Sequence, residues 1–224
     1  MYKPTASHTG WKFGQIFLDS AIRDNIVLAQ AIGICPIILA GTDLKSGVVL
    51  TVCTLLVLLP VSFLMSLIGN RLPNWLHPVI YTLSASILLT GAAFVLDNFI
   101  STTLYAQLHL FIPLMAVNTI FTYRVGGFSI GNRPAAAIAD ALGSSFGFGL
   151  VICLVGLLRE LLRANTIWGV PVPIELTLTE AAEPFLAFIL LGFMAAALQV
   201  HAHRKKDDAD PAFIVSDEEV DARD

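Results

Sequence analysis

The residue best suited to chemistry lies in an apolar stretch that contains its own helix-breaking residues. Cys35 stands between Gly33 and Pro36 in AQAIGICPIILAGT, residues 29–42. A proline inside a helix removes a backbone hydrogen bond and clashes with the carbonyl four residues earlier, so we expect the helix to break here. A cysteine in an apolar run usually packs as a small hydrophobe. Beside unwound backbone, a thiolate can instead act as a ligand to a metal ion that neutralises its charge. The other ligands of that metal must then come from elsewhere.

Two more cysteines and one carboxylate complete the candidates. Cys53 and Cys153 lie in separate apolar runs, fit neither a CxxC spacing nor a disulfide framework, and favour packing roles. Asp140 lies about six residues inside an apolar run, where an ionisable group by default marks an ion or proton route. The alternative is a structural carboxylate near a helix N-terminus, stabilised by the helix dipole and reached by water. Both interpretations stay open.

Composition indicates a polytopic membrane protein. Of the 224 residues, 56% are hydrophobic and 13% are charged, with a mean hydropathy of +0.76, whereas soluble domains carry about 25% charged residues. Eight of the 17 acidic residues lie between Asp207 and Asp224. There is no P-loop, dinucleotide-binding fingerprint, paired-histidine metal site or nucleophile elbow. Nothing therefore predicts that the chain itself binds NADH, ATP or nucleic acid, and membrane lipid is the expected surroundings.

The apolar runs predict an all-α fold with six transmembrane helices. The runs cover about residues 26–40, 48–68, 79–96, 104–123, 135–158 and 184–200. A span needs about 20 residues, so the first is short, and the fourth is interrupted by Pro113. The predicted domains are a cytoplasmic or interfacial leader (1–25), a membrane domain (26–203) and a disordered acidic cytoplasmic tail (204–224).

Charge on the connecting segments predicts that both termini are cytoplasmic. With six spans, one side of the membrane carries most of the basic residues: Lys3, Lys12, Arg23, Arg71, Arg124, Arg133, Arg204, Lys205 and Lys206. The other side carries Lys45, Arg159 and Arg163. The side richer in lysine and arginine is the cytoplasmic one. We expect the Arg124 side chain to snorkel to that surface. Arg159 and Glu160, which are consecutive at the end of the fifth span, are expected to form an interfacial pair or a subunit contact.

An internal repeat gives the interrupted stretch a counterpart. Residues 29–42 align with AQLHLFIPLMAVNT, residues 106–119, and the alanine, glutamine, proline and threonine positions coincide. Such a match can arise by chance in apolar sequence, but the matching prolines favour a repeat. Each copy opens a set of three spans (about 26–100 and 104–200), and an odd number of spans inverts the second copy. In inverted-repeat transporters, interrupted helices at corresponding positions mark the site near the bilayer midplane.

Together these stretches resemble a known family. NIVLAQAIGICP, LYAQLHLFIPLMAVNTIF, AAIADALG and LLREL are similar to the Rnf/Nqr integral membrane subunits, most of all to the RnfE/NqrD branch, over about residues 24–206. The resemblance implies a subunit of an ion-translocating oxidoreductase complex of the bacterial inner (cytoplasmic) membrane. The Rnf type passes electrons between ferredoxin and NAD, and the Nqr type from NADH to quinone with sodium transport. Other subunits of such complexes carry FMN and Fe–S centres.

The resemblance also implies a redox site. In that family the subunit pairs with a homologous RnfA/NqrE-like subunit of opposite orientation, and each supplies two cysteines to one [2Fe-2S] cluster. The first cysteine matches Cys35; the second falls where this chain has Thr119. A threonine hydroxyl is a poor iron ligand compared with thiolate. Three outcomes stay open: a cluster with three thiolates and a weak fourth ligand, replacement by Cys153 or Cys53, or loss of the cluster.

The sequence thus predicts a subunit that is not catalytic alone and relays electrons through Cys35, with Asp140 on the ion path. The alternative is a transporter or scaffold subunit with the same inverted repeats and no cluster.

Overall fold

The computed structural model describes residues 13–18, 20–21, 25–99, 104, 106, 108–171 and 183–207. The helices are α1 (Phe13–Leu18), α2 (Ile34–Ala40), α3 (Leu44–Ile68), α4 (His77–Phe99), α5 (Phe111–Leu114), α6 (Thr119–Arg124), α7 (Pro134–Ala164) and α8 (Pro184–Asp207). Strands β1 (Thr166–Ile167) and β2 (Val170–Pro171) pair antiparallel. Turns of 3₁₀-helix cover Gly69–Arg71 and Met115–Val117, and a π-helical turn covers Val125–Ser129.

Three of the described helices are long and apolar enough to cross a membrane. They cover Leu44–Arg71, His77–Leu96 and Pro134–Ala164, and α8 has a shorter apolar part, Pro184–Val200. The second, third, fifth and sixth apolar runs are therefore helical, as predicted. The first and fourth runs are interrupted. The count of six spans and the inverted repeat stay predictions.

The long helices α3 and α7 form the centre of the molecule. They run antiparallel, because Gly47 lies against the backbone of Cys153, whereas the Ser66 hydroxyl, near the other end of α3, donates to the Asn132 carbonyl at 2.7 Å. Glycines allow the two backbones to approach closely. Both helices contribute buried apolar side chains to the hydrophobic core: Leu50, Cys53, Val57, Leu58, Val61, Phe148, Val151, Ile152 and Val155. Cys53 is fully buried there, which agrees with a packing role.

The structure describes part of each end of the chain, and the predicted domain limits stay a prediction. The described part of the predicted leader packs against α7, where a Cβ at Gly143 would lie 2.6 Å from the Phe17 carbonyl oxygen. The relation of that segment to the lipid headgroups stays a prediction. Helix α8 continues to Asp207, past the predicted start of the tail at residue 204. Residues 208–224 lie outside the described part of the chain.

Helices α4 and α8 expose large apolar side chains along much of their length. The exposed residues include Val79, Leu83, Ile87, Phe94, Phe185, Phe188 and Phe193. A continuous apolar surface of this extent fits contact with lipid or with other subunits rather than with water.

Candidate functional site

The first apolar run, 26–40, is not a continuous helix. Its start is held by Asn25, whose Oδ1 accepts hydrogen bonds from the backbone N–H groups of Val27 (3.0 Å) and Leu28 (3.3 Å). One helical turn follows and closes at Ala31, whose φ of 54° lies in the left-handed region. That conformation costs a non-glycine residue about 1–2 kcal/mol. The surrounding structure therefore imposes the interruption.

The break itself is completed by a glycine. Gly33 has a φ of 76° and immediately precedes α2. Cys35 is the second residue of α2 and is exposed, and Pro36 is the third. A proline in the first turn of a helix removes an N–H that has no intrahelical partner anyway. The predicted interruption is present and agrees with both residues: Gly33 adopts the left-handed backbone, and Pro36 in the first turn of α2 prevents a helix from continuing back through Ile32.

The fourth apolar run is interrupted at Asn118. Helix α5 and its 3₁₀ turn end at Val117, and Asn118 has extended backbone (ψ 133°). The Asn118 side chain then caps α6 by accepting a hydrogen bond from the Ile120 N–H at 3.3 Å, as an N-cap residue does. Pro113 lies inside α5, five residues before the break. The exposed Thr119 is the first residue of α6.

The two interruptions meet. The Gly33 N–H donates a hydrogen bond to the Thr119 hydroxyl at 3.2 Å. A Cβ on Gly33 would lie 2.6 Å from Ile120 Cδ1, so only glycine fits there. The contact joins residues 86 positions apart, whereas the sequence alignment places Gly33 over Leu110. The starts of α2 and α6 are therefore neighbours, and Cys35 and Thr119 are each near this junction in sequence and exposed.

This junction can supply part of a metal site. Among the described residues, no group of three or more histidine, cysteine, aspartate or glutamate side chains could hold a metal ion. Cys35 offers one exposed thiol, and Thr119 offers a neutral hydroxyl whose oxygen already accepts the Gly33 N–H. A cluster held here needs further thiolates from another chain. The junction thus offers one thiolate donor, Cys35, where the family resemblance implies two.

A buried ion pair lies at the other end of α6. Arg124 is its last residue, and its Nη1 donates to Asp140 Oδ1 at 2.9 Å. The Ser20 hydroxyl donates to the same carboxylate oxygen at 2.6 Å. All three residues are buried. The expectation that Arg124 snorkels to the surface was wrong, because a carboxylate in the second turn of α7 keeps its guanidinium inside.

Arg159 and Glu160 are also buried within the chain. Arg159 Nη1 donates to the carbonyl oxygens of Ile38 (2.9 Å) and Gly41 (3.2 Å), at the end of α2. Glu160 Oε2 accepts the N–H of Leu44, the first residue of α3, at 3.0 Å. Both side chains therefore bind backbone groups of this chain, and their place at a membrane interface or a subunit contact stays a prediction. The one signal in the sequence was a pair of opposite charges closing an apolar run.

Three described helices that are long and apolar enough to cross a membrane indicate a helical membrane protein. The family described as "Rnf-Nqr subunit, membrane protein" matches residues 13–198, and the chain belongs to that family. It is 27% identical over 161 residues to the NqrD subunit of the Na(+)-translocating NADH-quinone reductase of Yersinia enterocolitica, covering 70% of this chain and 75% of the relative. Against the same subunit of Psychromonas ingrahamii it is 28% identical over 157 residues, covering 69% and 73%.

Proposed function

We propose that this chain is a membrane subunit of an Rnf- or Nqr-type ion-translocating oxidoreductase of the bacterial inner membrane. In this proposal it relays electrons through a [2Fe-2S] cluster shared with a homologous RnfA/NqrE-like subunit, beside subunits that carry FMN and Fe–S centres. The observation that carries the proposal is the junction of the two interrupted helices, with an exposed thiol at Cys35. Interrupted backbone at membrane depth is tolerated only where protein covers it or where it lines a cavity. A partner subunit on this face supplies both the cover and the missing ligands.

Each residue of the junction has a distinct part in holding such a cluster. Cys35 supplies a thiolate, and Thr119 occupies the position of the second family ligand. Gly33 keeps the two helix starts together through its N–H bond to Thr119. When bound, an iron–sulfur cluster supplies one-electron transfer, and its ligands tune its potential. A cluster held by three thiolates and a weak fourth ligand would have a different reduction potential from a cluster held by four thiolates. The residue at position 119 would therefore affect a quantity that can be measured.

We further propose that Asp140 lies on the ion path. A desolvated carboxylate within apolar helices is a typical feature of such paths. Its partner Arg124 and the junction residue Thr119 are the two ends of the six-residue helix α6, about 7.5 Å apart along the helix axis at 1.5 Å per residue. A cation that binds Asp140 competes with the Arg124 guanidinium for Oδ1. Movement of Arg124 then moves α6, and with it Thr119, which offers a mechanical link between ion binding and the redox site.

Iron content and the EPR spectrum of the purified, reduced complex test the redox role. Cys35→Ser should remove the cluster signal and electron flow while the subunit remains assembled, because it removes a ligand and no buried contact. The matched control is Cys53→Ser, which alters a cysteine inside the α3–α7 interface and should keep the signal. A wild-type complex that transports ions without iron would refute the cluster.

The alternative function is a transporter or scaffold subunit without a cluster, and Thr119 at a ligand position is the observation that favours it.

The variant Asp140→Asn tests whether Asp140 acts in ion transport or only in the structure. We expect it to reduce ion transport by a larger factor than electron transfer. Equal losses of both would assign Asp140 a structural role instead. Reporter fusions at each end of the chain test the cytoplasmic placement of both termini.

A further inference from the structure

The short helix α2, which carries Cys35, depends on its surroundings for its position. It has seven residues and no side-chain cap at its N-terminus. Helices shorter than about 12 residues are marginal alone in water, so tertiary contacts decide whether and where such a helix forms. At 1.5 Å per residue α2 is about 10 Å long. Its position, and with it that of Cys35, depends on the Gly33–Thr119 hydrogen bond at its N-terminal end and on the contacts at its C-terminal end.

Arg159 makes that contact. The last carbonyls of a helix have no intrahelical partners, and the Arg159 Nη1 donates to two carbonyl oxygens here, those of Ile38 and Gly41. Its Nη2 reaches the Glu183 carbonyl oxygen at 3.5 Å. The side chain is 1% exposed, so screening by water is small. A buried cation also interacts favourably with the negative end of the helix dipole.

The neighbouring residues of α7 fix the turn that follows α2. Glu160 accepts the Leu44 N–H with one carboxylate oxygen, and with the other it accepts the Gly169 N–H at 2.9 Å. Gly156 lies against Asp43, where a Cβ would be 2.8 Å from the carbonyl oxygen. Residues 41–43 are thus held from α7 on both sides. Of these contacts, those of Arg159 are the ones made to α2 itself.

We propose that Arg159 is a positioning residue for the Cys35 site: it holds the C-terminal end of α2 and thereby fixes the thiol relative to Thr119. The redox consequence of this proposal rests on the proposed function, but the positioning of the thiol does not. A measurement on the thiol therefore tests the positioning role, and a separate measurement on the cluster tests its redox consequence.

The thiol measurement uses the intact complex after its iron has been removed with a chelator under reducing conditions. Alkylation of Cys35 and of Cys53 is followed in the same chain by mass spectrometry. In Arg159→Gln we expect Cys35 to react about threefold faster or more, since a lost helix-terminal charge contact has effects of this size, while Cys53 stays protected. Arg159→Lys keeps the charge but lacks the two-pronged guanidinium, and should give a smaller change.

The matched control is Arg163→Gln, one turn further along α7, which pairs with Asp43 at 3.0 Å and has a side chain 41% exposed. It should leave the Cys35 rate unchanged. Unchanged Cys35 reactivity in Arg159→Gln would overturn the proposal. Labelling of Cys53 together with Cys35 would also overturn it, because that result assigns Arg159 a general structural role.

The cluster measurement uses the iron-replete complex. Arg159→Gln should shift the EPR spectrum and the midpoint potential, and Arg163→Gln should leave both as in the wild type. If the wild-type complex holds no iron, the proposed function fails while the thiol comparison still decides the positioning role. A wild-type cluster with an unchanged spectrum and potential in Arg159→Gln would overturn the proposal and leave the proposed function standing.

Discussion

Neutralising one partner of the buried Arg124–Asp140 pair should destabilise the protein strongly. The Nη1–Oδ1 distance is 2.9 Å, and the two side chains are 7% and 1% exposed. At an effective dielectric constant of about 20, two unit charges at that distance attract each other by about 6 kcal/mol. Removing one member of a buried pair costs about 3–5 kcal/mol, because the other charge is left inside without compensation. For Asp140→Asn we expect about 3 kcal/mol, since the amide oxygen still accepts the Ser20 hydroxyl.

A second ion pair in the same protein provides the control. Arg163 and Asp43 have the same kind of contact at 3.0 Å, but their side chains are 41% and 21% exposed. Solvent-exposed pairs contribute about 0–1 kcal/mol. Asp43→Asn and Arg163→Gln should therefore lower the free energy of unfolding by no more than about 1 kcal/mol. The double variant Arg124→Gln/Asp140→Asn removes both charges of this pair and should be more stable than either single variant.

Thermal unfolding of the purified complex, followed by the reaction of the buried Cys53 with a thiol dye, measures these differences. For a chain of about 200 residues, 1 kcal/mol shifts Tm by about 2–4 °C. Asp140→Asn should lower Tm by about 6–12 °C, and Asp43→Asn by less than about 4 °C. Equal shifts for the two variants would refute the reasoning from burial. A double variant whose loss equals the sum of the single losses would refute the pairing.

Two further predictions concern the junction of the interrupted helices. Thr119→Cys places a thiolate at the second family ligand position. The iron content per complex should rise, or the midpoint potential measured by EPR should fall toward that of an all-thiolate cluster. An unchanged spectrum and iron content would show that this position does not contact the cluster. Gly33→Ala should reduce the free energy of unfolding by about 1–2 kcal/mol because of the left-handed backbone alone. The 2.6 Å contact between the new Cβ and Ile120 Cδ1 should reduce it further. We expect Tm and the cluster signal to fall together. Gly91→Ala, inside α4 at a position with no atom within 4 Å of the added Cβ, is its control and should lower neither the Tm nor the cluster signal, because alanine is the better helix former.

The amino-acid sequence by itself determined the helical class, the main helices and the place of the candidate thiol. These follow from local properties: the length of apolar runs sets where helices can span, and glycine and proline in an apolar run indicate an interruption. The runs predicted for α3, α4, α7 and the apolar part of α8 match the observed helices to within a few residues, except where α7 extends further at its C-terminal end. Resemblance to the Rnf/Nqr family, carried by short motifs, agrees with the match over residues 13–198.

Tertiary structure decided where each interruption falls and which polar groups face each other. Gly33 was already a candidate in the sequence, whereas left-handed Ala31 and the capping Asn118 were not. Propensity could not show this, because a left-handed alanine is stable only when its neighbours hold it.

The partners of the buried charges were equally inaccessible to the sequence. Arg159 bonds a carbonyl 121 positions away, and Glu160 an N–H 116 positions away. Charged residues near span ends are expected at the surface unless a partner inside compensates them. Whether such a partner exists depends on how the helices pack, and no local pattern records it. The sequence could therefore name Cys35 as a candidate, while the fold decided what holds it in position.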